Sequence, residues 1–204
     1  DNSGSTTKWN FDTDKVKYTM TLTAQWKEAL PASGTAEVST AAELTSALEN
    51  SANDTVKLTA DITIDVTLTV NRNVALDLNG YVLQYKNNAT LGSVLVVADG
   101  AHLTIKDSNP TEEHKFAPNS DGLWVLDEEN GTEAVTGGVI TGGTGYPVLL
   151  SGSVVTYYNY YGGGVYITNG RLTMTGGSIV GCSATDGGGV CIDPMTGQTV
   201  QISM

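Results

Sequence analysis

The segment Gly162-Gly163-Gly164-Val165-Tyr166-Ile167 returns 25 residues later as Gly187-Gly188-Gly189-Val190-Cys191-Ile192, and no other feature of the chain restricts its fold as strongly. A unit this short cannot bury an apolar face of its own, so copies must stack to make a core. Between the copies lies Leu172-Thr173-Met174-Thr175-Gly176-Gly177-Ser178-Ile179, with earlier echoes in Leu103-Thr104-Ile105 and Gly137-Gly138-Val139-Ile140. Leu76-Asp77-Leu78-Asn79-Gly80 aligns with Leu103-Thr104-Ile105-Lys106-Asp107 at a spacing of 27. Each copy is a short alternating strand ended by Gly, Asn or Asp. Repeats of two or three such strands predict an all-β chain wound as a right-handed parallel β-helix, one repeat per coil. Alternation then sends Val165 and Ile167 inward and Tyr166 outward, with Val190 and Ile192 stacked over the former pair and Cys191 over Tyr166. A β-sandwich is the competing architecture, but it leaves the recurrence of Gly-Gly-Gly-Val unexplained.

Composition narrows the function. Ten Lys and Arg against 22 Asp and Glu, a net charge of −12, leave no basic stripe to displace counterions, which argues against nucleic acid and anionic membranes as partners. No run reaches the roughly 18 apolar residues of a membrane span, so no membrane insertion is expected. The charge is uneven: eight of the acids lie between Asp107 and Glu133, with Lys115 as the only base among them. Such a block reads as a solvated surface loop. Aligning the repeats leaves residues 109–135 and 145–161 as insertions between coils, and binding function tends to sit on loops of this kind.

Residues Val38 to Ser51 read as the one helix. Thr40 and Glu43 have capping-box spacing, and Ala41, Leu44, Ala47 and Leu48 form an apolar stripe. Placed before the first coil, this helix would cover its open end. Val56-Lys57-Leu58-Thr59, Ile62-Thr63-Ile64 and Leu68-Thr69-Val70 follow as successive strands.

Two resemblances extend this reading. Trp9-Asn10-Phe11-Asp12, Val16 and Thr21-Leu22-Thr23-Ala24-Gln25-Trp26 resemble the closing half of the internalin-type B-repeat, also called the Listeria-Bacteroides repeat. Residues 1–26 then read as a truncated B-repeat and 27–36, with Pro31, Ser33 and Gly34, as a linker. From about residue 37 to 204, the Leu58–Thr63, Leu76–Gly80, Leu103–Asp107, Gly-Gly-Gly-Val and Thr-Met-Thr-Gly-Gly-Ser-Ile segments resemble pectin-lyase-like β-helix repeats of bacterial cell-surface, adhesin-like proteins. Val200-Gln201-Ile202 reads as a partial strand equivalent to Leu172-Thr173-Met174, so the stack is expected to be truncated at that end. The resemblance implies an extracellular module on a bacterial surface. The same coil also supports lyases and hydrolases, so it leaves function open.

The residues favour a non-catalytic module, an adhesive or stalk segment without a cofactor; a polysaccharide lyase or glycoside hydrolase fragment is the alternative. A hydrolase needs two carboxylates about 5 to 10 Å apart, and a lyase needs a cation site and a base. Here Asp61, Asp65, Asp77, Asp99 and Asp107 come one per strand or turn, and Arg72 and Arg171 are the only arginines. Asp77 is expected to face solvent and pair with Lys106 at the surface. His102 and His114 lack a second histidine at ligand spacing and read as solvated or hydrogen-bonded, although Glu112-Glu113-His114 could recruit a metal. Asp127, Glu128 and Glu129 have the acidic density of a structural calcium site without its spacing. Cys182 and Cys191 could form a disulfide in an exported protein; two free thiols are favoured, with Cys182 a small buried residue. The strongest ligand-binding candidates are Tyr146, Tyr157, Tyr158, Tyr160 and Tyr161 in the second insertion and Trp124 in the first. They would bind a carbohydrate or a host surface protein unless the rings pack back onto the wall.

Overall fold

Short runs with an apolar residue at every second position become the walls of the structure. The computed structural model describes residues 34–86, 89–151, 156–193 and 202–203, all within a compact unit that runs from Pro31 to Met204. The expected B-repeat at 1–26 and residues 27–33 of the expected linker lie outside the described residues. Strand β1 (Gly34–Val38) leads into helix α1 (Ala41–Glu49). The chain then runs through β2 (Asn53–Leu58), β3 (Ile62–Ile64), β4 (Leu68–Val70), β5 (Val74–Asp77), β6 (Val82–Tyr85), β7 (Leu95–Val97) and β8 (His102–Lys106). After β9 (Glu113–Pro118), β10 (Trp124–Leu126) and β11 (Glu133–Thr136) come β12 (Val139–Thr141), β13 (Tyr146–Ser151) and β14 (Thr156–Tyr161). The last strands are β15 (Val165–Ile167), β16 (Arg171–Met174), β17 (Ser178–Ile179), β18 (Val190–Ile192) and β19 (Ile202–Ser203).

Three sheets carry the fold, in the orders β1-β2-β5-β8-β16-β19, β17-β12-β6-β3 and β18-β15-β7-β4. Every pairing within them is parallel. The chain visits them in rotation: β2, β3 and β4, then β5, β6 and β7, then β8, β12 and β15, then β16, β17 and β18. That all-β arrangement fits a β-helix and excludes the antiparallel sandwich. Leu58, Leu76 and Leu103 from the first sheet, Leu83 from the second, and Leu95 and Ile167 from the third share one core and are completely buried.

The triple-glycine copies pair in the expected register, Val165 on Val190, Tyr166 on Cys191 and Ile167 on Ile192. The copies at Leu76 and Leu103 do not. Leu76 lies beside Ile105 and Val74 beside Leu103, a slip of two residues from the 27-residue alignment. Leu172 likewise pairs with Ile202 rather than Val200. A slip of two keeps every side chain on its own face, so apolar alternation cannot detect it.

Helix α1 forms as its capping box dictates: Glu43 N–H donates to Thr40 Oγ1 and Thr40 N–H to the Glu43 carboxylate. It is shorter than the expected 38–51 because Val38 ends β1 and Asn50 caps the last turn. Residues 34–36, expected to close the linker, are strand. Leu44, Ala47 and Leu48 face the core. Arg72 holds the other end, donating from Nε to Leu48 O at 2.7 Å, from Nη1 to Asn53 O at 2.7 Å and from Nη2 to Ala47 O at 3.1 Å. A cation on the last carbonyls also opposes the negative end of the helix dipole.

The two insertions are sheets rather than loops. β10 and β11 flank β9 in a three-stranded antiparallel sheet, and β13 and β14 form an antiparallel ribbon. Each covers the outer side of one wall with aromatic side chains. Phe116 of the three-stranded sheet, completely buried, packs on Val82 and Val139, and Tyr161 of the ribbon packs on Val96 and Tyr166. Tyr166 points out of the coil as expected but is buried under the ribbon.

Candidate binding face

In the ribbon, Tyr146 pairs with Tyr161, Pro147 with Tyr160, Val148 with Asn159, Leu149 with Tyr158 and Leu150 with Tyr157. Directly opposed residues share a face and neighbours alternate, so the ladder sorts the candidates. Tyr146, Val148, Asn159 and Tyr161 belong to the face that meets the wall. Tyr146 and Tyr161 stack on Tyr166 with centroids 5.6 and 5.7 Å apart and rings 21° and 16° from parallel. Tyr166 donates its hydroxyl to Asp193 at 3.0 Å, and burial, then this carboxylate, raises its pKa. Tyr161 is therefore packing rather than display. The outer face holds Pro147, Leu149, Tyr158 and Tyr160. Leu149 and Tyr158 are 55 % and 59 % exposed, an apolar cross-strand pair held in water.

The ribbon is clamped at its base. Tyr160 O accepts from Thr185 and Asp186 N–H at 3.0 and 3.1 Å, Gly162 N–H donates to Asp186 O, and Asn159 Nδ2 donates to the Asp186 carboxylate at 2.8 Å. Ser93, fully buried, donates its hydroxyl to the carbonyls of Tyr161 and Gly162. A groove of about 380 Å³ runs between the root of the ribbon at Tyr146 and Pro147 and the β3–β4 turn at Asp65, Val66 and Thr67.

The other candidates are placed elsewhere. Trp124, 40 % exposed, lies on the edge strand β10 of the three-stranded sheet, between Leu123 and Val125, which are also exposed. Asp127 Oδ1 accepts from Asn130 N–H to shape a turn. Glu128 receives His114 Nδ1 and Lys115 N–H, and Glu129 is exposed. Among the described residues no three potential ligands converge on a metal position. Cys182 packs against the core beside β12 and Cys191 against the tyrosine layer. Both are free, and burial pushes the Cys182 thiol up to about 11. His102 Nε2 meets Thr173 Oγ1 at 2.9 Å.

Asp77 departs from expectation. It pairs with Lys106 at 3.6 Å, yet its side chain is 4 % exposed, because its Oδ1 accepts from Asn79 and Ser108 N–H at a corner the next coil covers. Asp61 accepts from Val82 N–H and Asp107 from Gly80, Asn109 and Gly138 N–H. The acids along this corner hold backbone turns together.

His114, on the central strand β9, joins the three-stranded sheet to the corner at Gly80. It is 5 % exposed, with Nε2 2.7 Å from Gly80 O and Nδ1 2.9 Å from Glu128 Oε1. Both partners are acceptors, so only the imidazolium satisfies both. Burial opposes the charge, but the Gly80 carbonyl and Glu128, with Asp61 behind them, raise the pKa above its ordinary value. Glu112 and Asp61 line the same recess. A raised folded pKa makes the contribution full below about 6.5 and lost as pH rises through the folded value. Denaturant midpoints should fall between pH 6 and about pH 9 relative to His114→Gln, which should lack this component; parallel profiles would show that folding does not raise the pKa of the histidine.

Three parallel sheets around one core carry two packed-down insertions, in an all-β arrangement that fits a β-helix; no helix among the described residues is long and apolar enough to cross a membrane. The family model described as "putative pectate lyase-like adhesive domain" matches residues 35–163, and the chain belongs to that family. No curated protein and no solved structure matches it.

Proposed function

We propose that this chain is a non-catalytic adhesive module of an extracellular bacterial surface protein. In this reading a right-handed parallel β-helix, following a segment that resembles part of a B-repeat, acts as a stalk that holds the β13–β14 ribbon and its groove against a carbohydrate or a host surface protein. The observation that carries it is the Leu149–Tyr158 pair, exposed on a ribbon whose base is clamped by backbone hydrogen bonds. Keeping apolar area in water lowers stability, and a rigid aromatic anchor binds with little loss of rotamer entropy. The adhesive family supports the same reading, as does the use of Asp61, Asp77 and Asp107 as turn staples. No cofactor is required.

Retention of the full chain on immobilised polysaccharides and matrix proteins tests it. Leu149→Ser with Tyr158→Ser should weaken retention by about tenfold or more, the effect of losing an interface anchor, while thermal stability is kept. Unchanged retention in the double variant, or none by the parent chain, would contradict the assignment.

A further inference from the structure

We infer that the groove beside the ribbon takes a neutral polysaccharide rather than a polyuronate; this rests on the adhesive reading and names its ligand class. The groove, about 380 Å³, falls within the range of ~300–1,000 Å³ usual for small-ligand sites. One wall is Tyr146, 37 % exposed, its tilt held by stacking on Tyr166. Val66 and Leu91, 69 % and 48 % exposed, add to the apolar lining together with Pro147. A pyranose ring has a face of weakly positive C–H groups, which suits the negative face of such a ring.

Hydroxyls supply the polar contacts. Tyr85, 4 % exposed, donates its single hydrogen to Thr90 O at 3.2 Å and keeps an oxygen able to accept. Gly92 makes this possible, since a Cβ there would come within 2.7 Å of both the Tyr85 hydroxyl and Thr67 Oγ1. A second groove of about 420 Å³, bounded by α1, lies across the same turn and shares Asp65, Val66, Thr67 and Thr69 with the first. Two adjoining grooves suit a polymer better than a single sugar.

Charge decides between polymer classes. Among the described residues, the two linings contain Glu49 and Asp65 and no Lys, Arg or His, on a chain of net charge −12. A polyuronate, with a carboxylate on every sugar, would meet like charge and no cation. A neutral chain offers hydroxyls that carboxylates and threonines can bind.

The full chain should be tested for retention on mannan, dextran, galactan, polygalacturonate and an immobilised matrix protein, at low and high salt, with and without calcium. Retention on at least one neutral polymer, insensitive to salt and weakened by about tenfold or more in Leu91→Asp and in Val66→Asp, supports the inference. Both positions are exposed, and circular dichroism checks that each variant folds. Preference for polygalacturonate, with or without calcium, would overturn it while leaving the adhesive reading intact. So would retention on protein alone, or loss in the Leu149/Tyr158 double variant without loss at Leu91 and Val66. Retention on nothing would remove both.

Discussion

Gly143→Ala should lower stability by at least about 4 kcal/mol, or prevent folding at room temperature, a larger effect than most single substitutions produce. The reason is steric. A Cβ on Gly143 would fall inside the van der Waals radius of the Gly163 carbonyl oxygen, with Val94 Cγ2 only 3.1 Å away. That carbonyl cannot step aside, because it accepts from Val94 N–H at 3.0 Å while Gly163 N–H donates to Gly187 O and Gly143 O accepts from Ser183 N–H. Backbone packs on backbone through successive coils, and an added methyl must break the ladder or expand the stack. Gly100 is the control. Its φ of +71° is left-handed, but a Cβ there meets nothing within 4 Å, so Gly100→Ala should cost only about 1–2 kcal/mol. Urea denaturation of both variants makes the comparison, and similar losses at the two positions would show that coil stacking does not require the glycine.

Asp107→Ala should be the second large loss, about 3 kcal/mol. One carboxylate oxygen accepts from Gly80 N–H at 2.7 Å and Asn109 N–H at 3.3 Å, and the other from Gly138 N–H at 2.7 Å. The side chain thus ties its own turn to the corner preceding β6 and to the residue preceding β12. Bonds to a charged acceptor contribute roughly 1.5–3 kcal/mol each, and partial exposure lets water replace some of that. Asp107→Asn, which keeps one acceptor but turns a donor toward a donor, should fall between. An alanine variant as stable as the parent would leave the corner held by packing alone.

These two positions also show how far the residues could be read in advance. The recurrence of Gly-Gly-Gly-Val-x-Ile identified the partners of Val165, Tyr166 and Ile167 correctly, because the motif marks both face and register. Thr40 and Glu43 marked the helix start for the same reason: a capping box is local chemistry. Where only alternation was available, as at Leu76 and Leu103, the register slipped by two, since period two repeats at that step. Long-range contacts were out of reach. Nothing near Asp77 in the chain announces that Ser108 will cover it, nothing near Gly143 announces Gly163, and Tyr166 gave no sign of the ribbon that buries it. The tyrosines of the second insertion stand out as a group, but their division into packing (Tyr161), groove lining (Tyr146) and display (Tyr158) needs the ladder of β13 on β14. A count of insertion-side alternation from Tyr146 could have separated them had the ribbon been expected. The acids of the first insertion read as solvated from their spacing alone, whereas Glu128 holds His114, a partnership set by the three-stranded sheet.

An adhesive module should hold its ligand and leave it intact. One incubation of the full chain with the polysaccharide panel tests this, with bound protein and new chain ends, both reducing and unsaturated, measured in the same sample. Retention is expected with no rise in either kind of chain end above the protein-free control. Release of new ends from any polymer above that control would make the chain an enzyme.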